Sequence, residues 1–251
     1  MQISAFMDTE VKKFYDELWN SDQSIGEYSE LLRIRESAIK YSYDAMGRLK
    51  NKNLLEVGCG AGLKSVAFAK RGAKVTAVDF SDKSIELTSR LAKKEGIATI
   101  NALKMNAEKL NLKSNSFDLV YIDSVLMHVN VEKVISECLR VLKNGGKLVV
   151  VEPLNSNPFM LLYRFLFSDY KKTSPKYMSI KLLKKHSKLF SQTRIREFYF
   201  SSVMFLFLFR ILNEHSAKKA YRIIERADDF FIRAFPFLRR FCWIAVAEYI
   251  K

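Results

Sequence analysis

Three glycines separated by single residues, Gly58, Gly60 and Gly62, close one apolar segment and open a helical one, and 21 residues after the first glycine a second apolar segment ends in Asp79. Glycines at this spacing let the backbone turn sharply and come close to a ligand, while the helix that follows aims unpaired N–H groups at an anion. A carboxylate closing the neighbouring strand is placed to accept hydrogen bonds from both hydroxyls of a ribose. The pattern therefore builds a nucleoside crevice at the carboxyl ends of adjacent parallel strands. A dinucleotide fingerprint needs G-x-G-x-x-G, and Leu63 stands where the third glycine should be.

The segment Glu56-Val57-Gly58-Cys59-Gly60-Ala61-Gly62 resembles the first motif of the class I S-adenosylmethionine-dependent methyltransferases, close to the branch that includes ubiquinone and menaquinone methyltransferases. Further matches follow in that family's order. Asn106-Ala107-Glu108-Lys109-Leu110 resembles D-A-E-x-L, with Asn106 in place of the acid that usually binds the adenine amine. The run from Phe117 to Val129 resembles F-D-x-V-x-x-x-x-V-L-H-H-V, with Met127 replacing the first histidine. Val141 to Leu148 matches the L-K-P-G-G turn into a fifth strand that ends at Glu152-Pro153. The resemblance covers residues 53 to 153 and implies S-adenosylmethionine as cofactor. It also implies cofactor contacts from Glu56, Gly58, Cys59, Gly60, Gly62, Asp79, Phe80, Ser81, Asn106, Ala107, Glu108, Asp123 and Ser124. Cys59 reads first as a small packing residue of that turn and second as a nucleophile.

Methyl transfer from a sulfonium is an in-line displacement, so the protein mainly supplies proximity, orientation and a dry pocket. A base is needed only where the acceptor is a hydroxyl or an acidic carbon. His128, just past the fourth strand, is the candidate base, against a packing or capping role. Asp123 is the second catalytic candidate, orienting the cofactor's amino group or the acceptor with help from Ser124, against a structural role for the pair. Tyr15, Trp19, His128 and Glu152 are the candidate acceptor contacts; core packing is the competing reading for Tyr15 and Trp19. His186 and His215 lie among lysines and beside Glu214 and read as solvated surface. No metal cluster is expected, because no acids and histidines stand at ligand spacing. The D/N-P-P-Y tetrapeptide of DNA base methylation is absent after strand four, where the chain reads Asp123-Ser124-Val125-Leu126.

These residues must be positioned by alternating strands and helices. Apolar runs predict strands near 53–58, 74–79, 98–104, 117–123 and 146–152, with helices near 62–71, 82–95 and 131–142. Such alternation implies parallel pairing and an α/β fold with helices on both faces. The resemblance adds a Rossmann-like, mostly parallel, seven-stranded sheet in the order 3-2-1-4-5-7-6, with strands six and seven near 194–200 and 240–250 and a helical cap. One domain spans 1–251: leading helices near 8–19 and 27–49 within a cap at 1–50, a cofactor core at 51–153, an insertion at 154–239 carrying strand six, and the last strand at 240–251. Within the insertion, a short apolar helix ends near 167 and another helix runs from 216 to 235, stopped by Pro236.

Charge divides the chain of 251 residues. Residues 154–251 hold 19 Lys and Arg against 7 Asp and Glu, a net of +12, and 21 of the 32 aromatic residues, whereas residues 1–153 are near neutral at +3. The basic, Phe-rich half admits a small-molecule or lipid-like acceptor, rests on an anionic membrane surface, or tracks RNA. The third reading ranks last because the aromatics form continuous apolar runs rather than spaced stacking platforms. Against all three stands a plain cap core with lysines on its wet face. The apolar run 198–212 contains Arg210 and is too short to span a bilayer. Three scattered cysteines and no visible signal peptide point to a reducing, cytoplasmic setting, peripheral on the inner membrane face where the lipid reading holds. A protein with the fold and no catalysis, a cofactor-binding scaffold, is the alternative of a different class.

Overall fold

The computed structural model describes residues 11, 13, 15–17, 35–167, 175–204 and 214–251. Its strands are β1 (Asn53–Val57), β2 (Lys74–Asp79), β3 (Ile100–Lys104), β4 (Phe117–Asp123), β5 (Leu142–Pro153), β6 (Gln192–Phe198) and β7 (Ile244–Ile250). The helices are α1 (Glu36–Met46), α2 (Leu63–Lys70), α3 (Asp82–Lys94), α4 (Val131–Val141), α5 (Pro158–Phe167), α6 (Ile180–His186) and α7 (Glu214–Ala234). The strands form one seven-stranded sheet in the order β3-β2-β1-β4-β5-β7-β6. Pairing is parallel from β3 to β5, and β7 runs antiparallel to both of its neighbours. The expected α/β, Rossmann-like architecture and strand order are those of the structure.

The pleat sorts the central strands between two apolar layers. Leu119 and Tyr121 of β4 join Phe68 of α2 and Ala38 and Met46 of α1, while Val120 and Ile122 join Val134, Ile135 and Cys138 of α4. Period-two alternation on a strand and a 3–4 spacing on a helix are what let one layer meet the other. Each fully buried aliphatic side chain contributes about 1.5–3 kcal/mol. Helix starts are capped as their residues predict. Ser81 Oγ accepts from Ser84 N at 3.1 Å, ahead of α3, and Asn130 Oδ1 accepts from Lys133 N at 3.1 Å, ahead of α4.

Element ends differ from the sequence expectation where turn chemistry intervenes. β3 starts at Ile100 rather than 98, because Gly96 (φ 66°) ends α3 and Ile97 N bonds back to Ala92 O at 2.9 Å. β5 gains a turn's worth of pairing at its start: Leu142 opposes Phe117, and the ladder resumes at Lys147 opposite Leu119 after an irregularity. β7 begins at Ile244 rather than 240, since Pro236–Phe241 wind into a 3₁₀ turn. The described part of the second leading helix is α1, which ends at Met46 ahead of Gly47; helical residues at 11, 13 and 15–17 belong to the first.

Gly62 caps α2 at φ 79°, and a Cβ there would lie 2.8 Å from Thr88 Cα on α3. Gly96 has φ 66° with nothing within 4 Å of its would-be Cβ. Gly96→Ala should therefore cost about 1 kcal/mol of left-handed strain, and Gly62→Ala that strain plus about 1–3 kcal/mol of overpacking. Urea denaturation of both variants reads the difference; equal losses would show that the α2–α3 contact yields freely.

Candidate functional site

The chain reverses its direction of travel across the sheet between β1 and β4, and the open ends of these strands bound a crevice there. At the end of β1, Gly58 N and Cys59 N both donate to Val78 O, at 2.8 and 3.1 Å. Gly58 (φ 77°) admits no side chain, because a Cβ would fall 2.2 Å from Val125 Cγ2 in the loop after β4. Asp79 closes β2 with 8% exposure, and its two oxygens accept from Gly60 N and Ser81 N, each at 3.0 Å. Burial raises its pKa, with the backbone N–H groups pulling the other way. A carboxylate held by two fixed donors retains lone pairs for further donors. Met105 N donates to Asp79 O at 2.9 Å, which brings the segment after β3 alongside. The Tyr15 ring meets Phe80 edge-on at 6.3 Å, and Ser81 Oγ donates to Asp16.

At the end of β4, Asp123 is engaged on every side. Its Oδ1 accepts from Arg35 Nη2 at 2.6 Å and from Ser124 Oγ at 2.8 Å, while its Oδ2 lies 3.2 Å from Lys64 Nζ and 3.4 Å from the Tyr121 hydroxyl. Burial alone would raise its pKa, but the Arg35 and Lys64 charges and these hydrogen bonds win and hold it at about 2. Asp123 is thus a permanent anion, suited to anchoring and orienting cations rather than to accepting a proton. Ser124 takes φ 61°, a strained value for a residue with a side chain, and its N–H bonds to Val151 O at 2.9 Å.

Around this ion pair burial shifts two further carboxyls and the histidine toward their uncharged forms. Burial lifts Glu56 to about 7 against the pull of Lys64, with the Ser65 hydroxyl donating to its carboxyl. Burial likewise lifts Glu152 to about 8, although its Oε1 accepts from Val125 N and Leu126 N, both at 2.8 Å. Burial pushes His128 down to about 4, so its imidazole is uncharged near neutrality. His128 Nε2 lies 3.0 Å from the Tyr15 hydroxyl, and its Nδ1 has no hydrogen-bond partner among the described residues.

The structure brings Gly58, Gly60, Gly62, Asp79, Phe80, Ser81, Tyr15, Asp123, Ser124 and His128 to one crevice through these contacts. Other expected site residues sit differently. Glu152 is fully buried, so it does not meet an acceptor at the rim; it holds the backbone of the loop that carries His128. Glu56 lies beneath the turn. Cys59 is buried and its thiol is raised well above its usual value, foremost by burial, which leaves it a packing residue. Asn106 spends its side-chain oxygen on Glu108 N at 2.8 Å, and Glu108 turns to Asn130 N and Lys133. Ala107 packs at the margin of the α4 layer. Trp19 lies outside the described residues, as does the side chain of His215. His186 corrects its surface reading: it is 4% exposed, and burial lowers its pKa. Sequence reasoning missed Arg35 and Lys64. Arg35 is one cation among 42 in this chain; Lys64, next to the buried Ser65, could have been suspected from its place in the first turn of α2. Among the described residues no three His, Cys, Asp or Glu groups are placed to hold a metal ion.

Comparison with known proteins bears on this site. A family profile described as a methyltransferase domain matches residues 55–150. A ubiquinone biosynthesis O-methyltransferase of Nitrosomonas europaea is 33% identical over 146 residues, 57% of this chain and 61% of that protein. Its namesake in Coxiella burnetii is 33% identical over 165 residues, 64% of this chain and 68% of that protein. The chain thus spans about three fifths to two thirds of these curated relatives. Among solved structures, a Haemonchus contortus phosphoethanolamine N-methyltransferase 2 in complex with S-adenosyl-L-methionine superposes with a TM-score of 0.68 at 16% identity, covering 96% of this chain and 59% of that one. A geranyl diphosphate C-methyltransferase of Streptomyces coelicolor gives 0.64 at 16% identity, covering 92% and 86%.

Glu152 makes the site's stability depend on pH. Its folded pKa of about 8 exceeds the carboxylate's ordinary 4.5, so the folded state keeps a proton that the unfolded state has released. That stabilisation is complete below pH 4.5 and is lost as pH rises through about 8, on the order of 5 kcal/mol in all. Glu152→Gln keeps an acceptor for Val125 N and Leu126 N without the titration. Urea denaturation between pH 6 and 9 should show a falling stability in the native chain and a flatter one in the variant. Parallel profiles would assign the slope to another group.

Proposed function

The chain belongs to the class I S-adenosylmethionine-dependent methyltransferases, and from that premise we propose that it methylates a hydroxyl oxygen of a small, apolar acceptor of the quinone-precursor kind. The observation that carries this reading is the uncharged His128 imidazole, with one nitrogen lacking a partner among the described residues, beside the crevice that ends in Asp79. Support for the oxygen acceptor comes from the curated relatives, whose names specify O-methyl transfer.

The residues present fit the cofactor. When bound, S-adenosylmethionine supplies a methyl group on a sulfonium that is its own leaving group. Asp79 suits the ribose diol, and the glycine turn leaves room at the backbone. Asp123 suits the cationic amino group, and Arg35 and Lys64, the latter on the first turn of α2, suit a carboxylate. Tyr15 and Phe80, in edge-on contact beside Asp79, suit an apolar cover over the bound nucleoside. His128 takes the proton from the acceptor hydroxyl as the new O–C bond forms, while the Tyr15 hydroxyl holds the ring by its Nε2. Glu152 acts at one remove as a positioning residue, fixing the turn on which His128 rides.

Asp79→Ala should weaken S-adenosylmethionine binding about 100-fold by calorimetry, the loss of two hydrogen bonds to a charged acceptor. Unchanged affinity would remove Asp79 from the cofactor site. His128→Gln should lower kcat on a phenolic acceptor about 100-fold or more while leaving cofactor affinity alone. In the native chain, kcat/KM should stay level from pH 8 down to about 6, where an ordinary histidine would already be charging. An unaltered kcat in the variant would sink the base. Cofactor binding without transfer to any phenolic metabolite extract would make the chain a scaffold.

A further inference from the structure

We propose that the end of α7 and the Pro236–Phe241 turn dock this protein onto an anionic phospholipid bilayer. Four phenylalanines there face solvent: Phe230 at 67%, Phe231 at 46%, Phe235 at 47% and Phe237 at 60% exposure. They touch in sequence, with ring centroids 5.6, 6.4 and 6.2 Å apart, so they form one apolar surface rather than scattered rings. A contiguous exposed patch of this kind marks an interaction site.

The charges around it name the occupant. Arg222, Arg226, Arg233, Arg239 and Arg240 are all exposed on the same helix and turn. The described acids near this end of α7 are buried, half-buried or paired with arginine. Asp228 is 2% exposed and accepts from the N–H and hydroxyl groups of Ser201 and Ser202. Asp229 lies 3.5 Å from Arg196 and 3.8 Å from Arg233, and Glu225 is half-buried. The outward surface is therefore aromatic and cationic, the composition of an element that sits in a lipid interface. A second copy would bring the same arginines against these, and stacking on RNA needs rings spaced along a polar groove rather than one packed patch. Among the described residues no helix is long and apolar enough to cross a membrane, so the contact lies on the surface. The inference holds whichever small acceptor the crevice takes.

The test is vesicle flotation of the full chain across a salt series. Vesicles of phosphatidylcholine with about 30% phosphatidylglycerol should carry the protein about tenfold better than phosphatidylcholine alone, less so as salt rises. The triple substitution Phe230→Ser, Phe235→Ser, Phe237→Ser should cut that binding about tenfold or more, with cofactor affinity retained as the sign of intact folding; Phe237→Ser alone, in the exposed turn, serves should the triple variant misfold. Arg239→Gln with Arg240→Gln should weaken only the anionic-lipid component. The proposal falls if the native chain floats with neither vesicle, or if the phenylalanine variants float as well as it does. It falls equally if those substitutions instead abolish a concentration-dependent dimer or binding to bulk tRNA.

Discussion

Asp123 is where three stretches of chain remote in sequence become one site. Arg35 precedes α1, Lys64 rides the first turn of α2 and Asp123 ends β4, and the three meet with almost no solvent between them. Two charges taken out of water repay their desolvation only when geometry and hydrogen bonds are complete, and removing one partner of such a set costs about 3–5 kcal/mol. The junction therefore fixes positions rather than adding much net stability. It sets where α1 begins, and Ala38 N then donates to the Tyr199 hydroxyl at 2.9 Å, which ties the leading helix to the far half of the chain.

Because that one carboxylate stays charged, the neighbouring groups are governed by burial. Glu56 and Glu152 are pushed toward their protonated forms and His128 toward its free base. The cationic side chains nearest the crevice floor are Arg35 and Lys64, both spoken for by Asp123 yet both close enough to meet an incoming anion. An uncharged imidazole near a carboxyl that keeps its proton leaves this side of the site with little charge. The strained backbone at Ser124 belongs to the same economy: Val151 O and the Glu152 carboxyl hold the loop in a shape the residue would not choose alone.

The sheet was legible because its information is local. Apolar runs, glycine breaks and cap residues each report on a few neighbours, and strands placed by them agree with the structure to within two residues at most ends. Failures came where a remote contact decides. The start of β7 could not be read from the residues Arg240 to Trp243, since the 3₁₀ turn that begins at Pro236 takes Arg240 and Phe241 and the strand opens only at Ile244. Glu152 looked like a rim carboxylate because strand five ends there, and only the fold shows two backbone N–H groups turning it inward. Arg35 carried no local mark that separates an interior cation from a solvated one, and Lys64 carried only its place in the first turn of α2. His186 failed in the opposite sense, its lysine-rich neighbourhood concealing a buried ring.

The Phe-rich half resisted reading for the same reason, and its resolution is a matter of which polar groups are spent inside. Phe198, Tyr199 and Trp243 are core, whereas Phe230 and Phe237 are surface, although composition cannot separate them. Asn157 decides part of this: buried, it donates to the carbonyls of Tyr199, Phe200 and Phe241 at 3.2, 2.9 and 2.7 Å and so pins the entry to α5 against two loops. Asp228 pins α7 to the loop after β6 in the same way. Each staple uses up a polar side chain in the interior. With Asp228 turned inward and Asp229 paired with Arg196 and Arg233, the outer face at the end of α7 keeps mainly arginine and phenylalanine, so an uneven composition becomes an uneven surface. Part of the net +12 of residues 154–251 is thus gathered beside the exposed phenylalanines, in Arg222, Arg226, Arg233, Arg239 and Arg240.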